Sequence, residues 1–174
     1  MRVEIRIAGL GGQGVVLAGQ ILGKAAVFEG FNAVQTQSYG AEARGSAAKS
    51  EVIISNKHVW YPYVRKCDIL IVLSQEALDK YIKDLKENGT LIIDSTHIKE
   101  SPSKIGAKVY SFPFSKIAKE KFGAEIYANM VVLGFLAKIT KLVKKEVLKK
   151  AVVESVPAKF RELDLKALEI GFNL

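Results

Sequence analysis

Cysteine is close to absent. Cys67 is the only one in the 174-residue chain, and His58 and His97 are the only histidines. A single thiol excludes a disulfide within the chain, and with it any iron–sulfur or zinc site built on several thiolates. Two histidines add too little for another kind of metal centre, so no metal ligands are assigned. Cys67 stands just before the apolar run Ile69–Leu73, where a buried, inert thiol is expected. Long apolar runs are missing as well: none approaches the ~20 residues that cross a bilayer. Met1-Arg2-Val3-Glu4 leads straight into a strand pattern without a visible signal peptide. A cytoplasmic chain with no membrane contact is the expectation. There is no Ser-His-Asp elbow, no pair of carboxylates at a convincing spacing and no phosphate-loop lysine. No residue is therefore assigned a catalytic role. Repeats, linkers and low-complexity tracts are lacking too, and the length suits a single domain over residues 1–174.

Charge of one sign is scarce only in part of the chain. The net charge is +8; residues 1–98 carry 11 basic against 10 acidic side chains, and residues 99–174 carry 15 against 8. Lys138, Lys141, Lys144, Lys145, Lys149 and Lys150 form the densest cluster. It holds neither arginine nor aromatic residues, which disfavours nucleic acid. A solvated helix face or an acidic protein partner fits it better.

What is present centres on Gly9-Leu10-Gly11-Gly12-Gln13-Gly14, set between the alternating run Val3, Ile5, Ile7 and a long apolar segment from Val15. A strand entering a glycine turn and then a helix leaves unpaired N–H groups at the positive end of the helix dipole. Such an end receives phosphate or carboxylate. Gly9, Gly11 and Gly14 also fit the dinucleotide pattern G-x-G-x-x-G. The acidic residue that usually ends the second strand of such a site is missing from Asn32-Ala33-Val34-Gln35-Thr36-Gln37. The turn thus has three readings: an anion-binding or interface loop, a purely structural βα turn, or an NAD or FAD site in a stand-alone Rossmann oxidoreductase.

Beyond it, periodicity predicts a helix over Val15–Glu29 stopped by Gly30, and a strand near Ala33–Thr36. Gln37–Ser46 is polar and fits neither period. It reads as a loop at the carboxyl end of the sheet beside the glycine turn, with Glu42 and Arg44 paired locally or across an interface. Ser50–Ser55 and His58–Tyr61 read as a hairpin ended by Pro62, hence a mixed sheet. Ile69–Leu73, Thr90–Asp94 and Ala107–Phe112 are further strands, with a helix over Gln75–Glu87 capped by Ser74 and stopped at Asn88-Gly89. Asp94 is placed either to touch a ligand or to cap the next turn. The last third is helical: Ser115–Phe122, the almost wholly apolar Ile126–Ile139, Lys145–Val156 and Ala158–Gly171. Asn129, alone among apolar neighbours, is expected to be a satisfied core amide. The apolar Ile126–Ile139 helix is either buried or faces a partner, which makes a homodimer of the isolated chain plausible.

Taken together, Gly9–Val15, then Gln35-Thr36-Gln37-Ser38-Tyr39-Gly40-Ala41-Glu42-Ala43-Arg44-Gly45, then Ser50-Glu51-Val52, resemble the gamma subunit of 2-oxoacid:ferredoxin oxidoreductases. Thr-Gln-Ser-Tyr-Gly before Glu-Ala-Arg-Gly is most similar to the 2-oxoglutarate branch, and the resemblance spans essentially the whole chain. Ala41 and Ser46 stand where the family often has proline and glycine. The resemblance implies an α/β fold of three layers, α/β/α, with a mostly parallel, mixed sheet, a Rossmann-like glycine turn after the first strand and a helical C-terminal third. It implies a multisubunit enzyme that turns a 2-oxoacid and coenzyme A into an acyl-CoA, carbon dioxide and reduced ferredoxin. Thiamine diphosphate and iron–sulfur clusters then belong to partner subunits: alpha, beta (thiamine-binding) and delta (ferredoxin-like). For this chain the expectation is coenzyme A contact and subunit docking, through Gly9, Gly11, Gly12, Gln13, Gly14, Tyr39, Glu42, Arg44 and Gly45.

Overall fold

Six strands form one sheet in the order β2-β3-β1-β4-β5-β6. They are β1 (Arg2–Leu10), β2 (Asn32–Tyr39), β3 (Ala47–Ser55), β4 (Cys67–Val72), β5 (Leu85–Asp94) and β6 (Lys108–Phe112) in a computed structural model that describes residues 1–40, 47–102 and 106–174. β1 pairs in parallel with β4, β4 with β5 and β5 with β6. β3 alone runs the other way, antiparallel to both β1 and β2. The sheet is therefore mixed and mostly parallel, as expected.

The central strands bury both faces. Ile5, Ile7, Val52, Ile54, Ile69, Ile71 and Ile92 belong to one core; Ala8, Ile53, Leu70, Val72, Leu91 and Ile93 belong to the other. This alternation of two apolar sets is why Ile69–Leu73 reads as a continuous apolar run. The thicker layer holds α1 (Val15–Phe28), α3 (Phe114–Phe122), α4 (Ala128–Thr140), α5 (Lys145–Ser155) and α6 (Ala158–Asn173). The thinner layer holds α2 (Gln75–Tyr81), the single turn Ile82–Asp84, and Val59 and Val64 from the segment after β3.

Three expectations are corrected. His58–Tyr61 is not a strand: both edges of β3 are taken by β1 and β2, so the chain leaves the sheet at Asn56, whose Oδ1 accepts from the Met1 amino group at 2.8 Å. The helix from Gln75 ends at Tyr81 and a single turn to Asp84, because Leu85 pairs with Cys67 and draws Leu85–Glu87 into β5. Gln37–Tyr39 is strand, not loop, held against Ser50, Lys49 and Ala48.

α4 is buried from Ala128 to Ala137, packed on α6 and, through Phe135, on Tyr110 and Phe112 of β6. Its apolar sequence needs no second copy of the chain, so the ground for expecting a homodimer is gone. The lysine cluster forms a solvated face: Lys144 pairs with Glu29 at 3.5 Å, Lys149 with Glu169 at 3.2 Å, and Lys145 with Glu169. Among the described residues no helix is long and apolar enough to cross a membrane.

Candidate functional site

The glycine turn sits where β1 ends and α1 begins, and its side chains lock its shape. The Gln13 side chain folds back over the turn: Oε1 accepts from the Leu10 amide at 2.6 Å, and Nε2 donates to the Leu73 carbonyl at 3.0 Å. It thereby ties the ends of β1 and β4 together. Gly9 lies buried beneath it, and a methyl group there would collide with Gln13 Oε1. Gly14 caps α1 at φ 73°, a left-handed conformation that glycine adopts without strain. A methyl group there would collide with Asn129 Nδ2, which donates to the Gly14 carbonyl at 3.3 Å. Asn129 Oδ1 accepts from the Met130 amide at 2.8 Å, so this buried amide is satisfied, as expected.

Gly11 and Gly12 are different: both are exposed, and Gly12, at φ 91°, has no atom of the described residues within 4 Å of where a Cβ would stand. α1 has no side-chain cap and no acidic residue in its first turn. No side chain therefore competes for the positive end of the helix dipole. Just ahead of it, Leu10 to Gln13 border a cavity of about 510 Å3 at the carboxyl edge of the sheet, where the strand order sets ligand sites in open α/β folds. Gly11, Gly12 and Gln13 form one wall; Gln75 and His97 stand on others.

The far walls hold residues that the sequence pattern did not single out. His97 Nε2 lies 2.7 Å from Glu125 Oε2. Gln75 ties the start of α2 to the next loop, its Oε1 accepting from the amides of Lys99 and Glu100 at 3.0 and 3.1 Å. Glu76 brings a second carboxylate. The position of His97 was findable, because it follows the carboxyl end of β5 just as the glycine turn follows β1. Glu125 comes from a single helical turn far along the chain and carries no such signal. Asp94, also at that end, is wholly buried and consumed as a cap: it accepts from the Ser115 hydroxyl at 2.5 Å, the Ser115 amide at 3.2 Å and the Thr96 amide at 3.1 Å. Of its two readings, capping is the one observed.

Tyr39 ends β2, opposite Ala48, which is itself opposite Gly9. It is 62% exposed and does not line the cavity. Gly40 donates to the Ala47 carbonyl at 2.8 Å, so the β2–β3 connection leaves from the same edge of the sheet as the glycine turn. Glu42, Arg44 and Gly45 lie outside the described residues. The β3 strand also disposes of the dinucleotide reading. In a Rossmann site the second strand lies beside the first and its end reaches the ribose; here antiparallel β3 stands between β1 and β2.

Cys67 is fully buried, and desolvation pushes its thiol up to about 11, which keeps it protonated and unreactive.

Residues 4–174 match the pyruvate ferredoxin/flavodoxin oxidoreductase family. The chain is 46% identical over 176 residues to 2-oxoglutarate synthase subunit KorC from Methanocaldococcus jannaschii, covering 100% of this chain and 94% of that one. It superposes on the crystal structure of a keto/oxoacid ferredoxin oxidoreductase gamma subunit from Geobacter sulfurreducens with a TM-score of 0.86 at 46% identity, covering 98% and 96% of the two chains. A chain of the 2-oxoglutarate:ferredoxin oxidoreductase from Magnetococcus marinus, solved with 2-oxoglutarate, coenzyme A and succinyl-CoA bound, gives a TM-score of 0.88 at 21% identity. That match covers 99% of this chain and 30% of the other, and at such identity it is a likeness of fold.

Proposed function

The chain belongs to the pyruvate ferredoxin/flavodoxin oxidoreductase family, and from that premise we propose that it is the gamma subunit of a 2-oxoglutarate:ferredoxin oxidoreductase. The enzyme makes an acyl-CoA, carbon dioxide and reduced ferredoxin from a 2-oxoacid and coenzyme A. Alpha, beta and delta subunits supply the thiamine diphosphate and the iron–sulfur clusters. The donor set of this chain agrees with that division, since its one thiol is buried and protonated and cannot ligate a cluster. The whole of residues 1–174 acts as one unit in a cytoplasmic assembly.

Within the assembly the chain offers coenzyme A the glycine turn. The observation that carries this is the open space at Gly12: no described atom stands within 4 Å of where its Cβ would be, and Gly11 and Gly12 border the cavity just ahead of α1. Such a turn at a helix start suits a pyrophosphate. The opposite wall, with Glu76 and Glu125, repels a second anionic group, so one end of the cofactor is anchored and the rest leads away.

Gly12→Asp tests it. The substituted side chain has room, and its carboxylate would occupy the place of the phosphate. Gly30→Asp is the matched control, because Gly30 has the same φ of 91° and the same open surroundings at the opposite end of α1. Coenzyme A titration of the assembled enzyme should show affinity at least tenfold weaker for Gly12→Asp and unchanged for Gly30→Asp. Equal affinities would remove the turn from the cofactor site. Native pull-down of the wild-type chain should recover a thiamine-dependent chain and a ferredoxin-like chain.

A further inference from the structure

Beside the start of α1 lies a second cavity of about 190 Å3. Its walls are apolar, from Leu17, Tyr127, Val156 and Pro157, and Ile126 and Phe160 border it while 43% and 42% exposed. Among the described residues the one charged group lining it is Asp164, which is only 7% exposed. The carboxylate has no partner among the described residues. None of the basic residues of its own helix bonds to it: Lys159 stands over the Phe160 ring at 4.7 Å, Arg161 donates through Nη2 to the Val156 carbonyl at 3.5 Å with its buried Nε left without a partner among the described residues, and Lys166 pairs with Glu162 at 2.6 Å. From α4, Asn129 gives its amide to Gly14, and the remaining titratable group on the walls is Tyr127. Burial raises the Asp164 carboxyl to about 6, so at neutral pH it is ionised with no compensating charge among the described residues. The contrast with Asp94, which is buried and accepts from three donor groups, is sharp.

A buried carboxylate in an apolar cavity calls for a cation. The space suits one long side chain, as an apolar cavity of about 150 Å3 holds a benzene ring. The molecule as a whole carries +8, so this is a local negative point on a basic chain. We propose that the cavity receives a lysine or arginine side chain of a partner subunit, its aliphatic stem against Ile126 and Phe160 and its charged head on Asp164. The aromatic borders add cation–π attraction. This rests on the gamma-subunit reading and adds a contact to it: a socket for docking, separate from the glycine turn.

Asp164→Asn tests the socket in two measurements at pH 7.5. The dissociation constant of the full chain for the rest of the enzyme should rise at least tenfold. The melting temperature of the isolated chain should rise too, because an uncompensated buried charge is gone. A purely structural carboxylate would give a lower melting temperature, and that result overturns the proposal, as does unchanged affinity for the partners. Adding n-butylammonium chloride, against sodium chloride at equal ionic strength, should raise the melting temperature of wild type and leave Asp164→Asn unmoved. Stabilisation by the free amine together with unaltered assembly would make the occupant a small amine and overturn the docking contact. If wild type binds no partner at all, the gamma-subunit reading and the socket fall together; if wild type assembles and Asp164→Asn assembles equally well, only the socket falls.

Discussion

At the scale of single residues, the same side chain type takes opposite states in this fold. Asp94 and Asp164 are both buried, yet donors surround the first and none among the described residues reaches the second. The sequence carried half of this. Asp94 ends a strand before Ser95-Thr96, which favours capping, and capping was one of its two expected roles. Asp164 sits in the middle of an amphipathic helix, where nothing local distinguishes a solvated carboxylate from one turned into a cavity. Its consequence appears in stability against pH. The folded-state carboxyl titrates near 6 against an ordinary 3.8 because burial disfavours its charge. The native state therefore holds a proton that the unfolded chain has already released. Stability of the isolated chain should fall as pH rises from about 4 to about 6, by on the order of 1–3 kcal/mol, and stay lowered above. Urea unfolding at a series of pH values should show this slope in wild type, with most of it gone in Asp164→Asn. Below pH 4 the two proteins should converge.

At the scale of elements, the long strongly patterned segments were legible and the errors fell where pairing overruled local pattern. Leu85–Glu87 continues a helical period, but β4 offers an unpaired edge at Cys67 and the chain takes it. His58–Tyr61 has strand composition, yet β3 has no edge left to offer. The tight crossing of α4 and α6 was not visible either, because it depends on two glycines far apart in the chain. A methyl group at Gly134 would overlap the Leu168 carbonyl, and one at Gly171 would overlap the Val131 carbonyl. Two effects oppose each other in Gly134→Ala. Helix propensity favours alanine by about 1 kcal/mol, while the clash is with backbone and cannot be relieved by a rotamer. Overpacking of this kind costs about 1–3 kcal/mol, so the clash should win. Thermal unfolding should show a lower melting temperature for Gly134→Ala; a higher one would mean the helices separate freely.

At the scale of the whole molecule, the sheet is the shared wall of two unequal cores, and this decides how the chain unfolds. The position of the candidate site was legible because a strand, glycine turn and helix in sequence dictate it. The opposing walls were not, because they depend on which strands become neighbours. The thin layer adds a buried charge network to its smaller apolar core. Arg6, 3% exposed, donates to Glu51 at 2.7 Å, Asp84 at 2.5 Å and the Val64 carbonyl at 2.9 Å, and its guanidinium lies 4.9 Å from the Tyr81 ring centre. One side chain thus joins β1, β3, the turn after α2 and the segment after β3. Removing it in Arg6→Ala leaves Glu51 buried, with Lys49 at 3.0 Å as its remaining ion-pair partner, so a cost of about 3–5 kcal/mol is expected. If residues 1–174 are one cooperative unit, the loss cannot stay in the thin layer, since both cores use the same strands. Cys67, the one thiol of the chain, is fully buried in the thin core, whereas most helix lies on the opposite face. Pulse labelling of the thiol and far-ultraviolet circular dichroism therefore report the two layers separately. In urea, the two signals should move together to a lower midpoint in Arg6→Ala with the denaturant slope unchanged. A thiol-exposure transition that precedes the loss of helix would show that the thin layer opens by itself, and the single-unit reading would then be wrong.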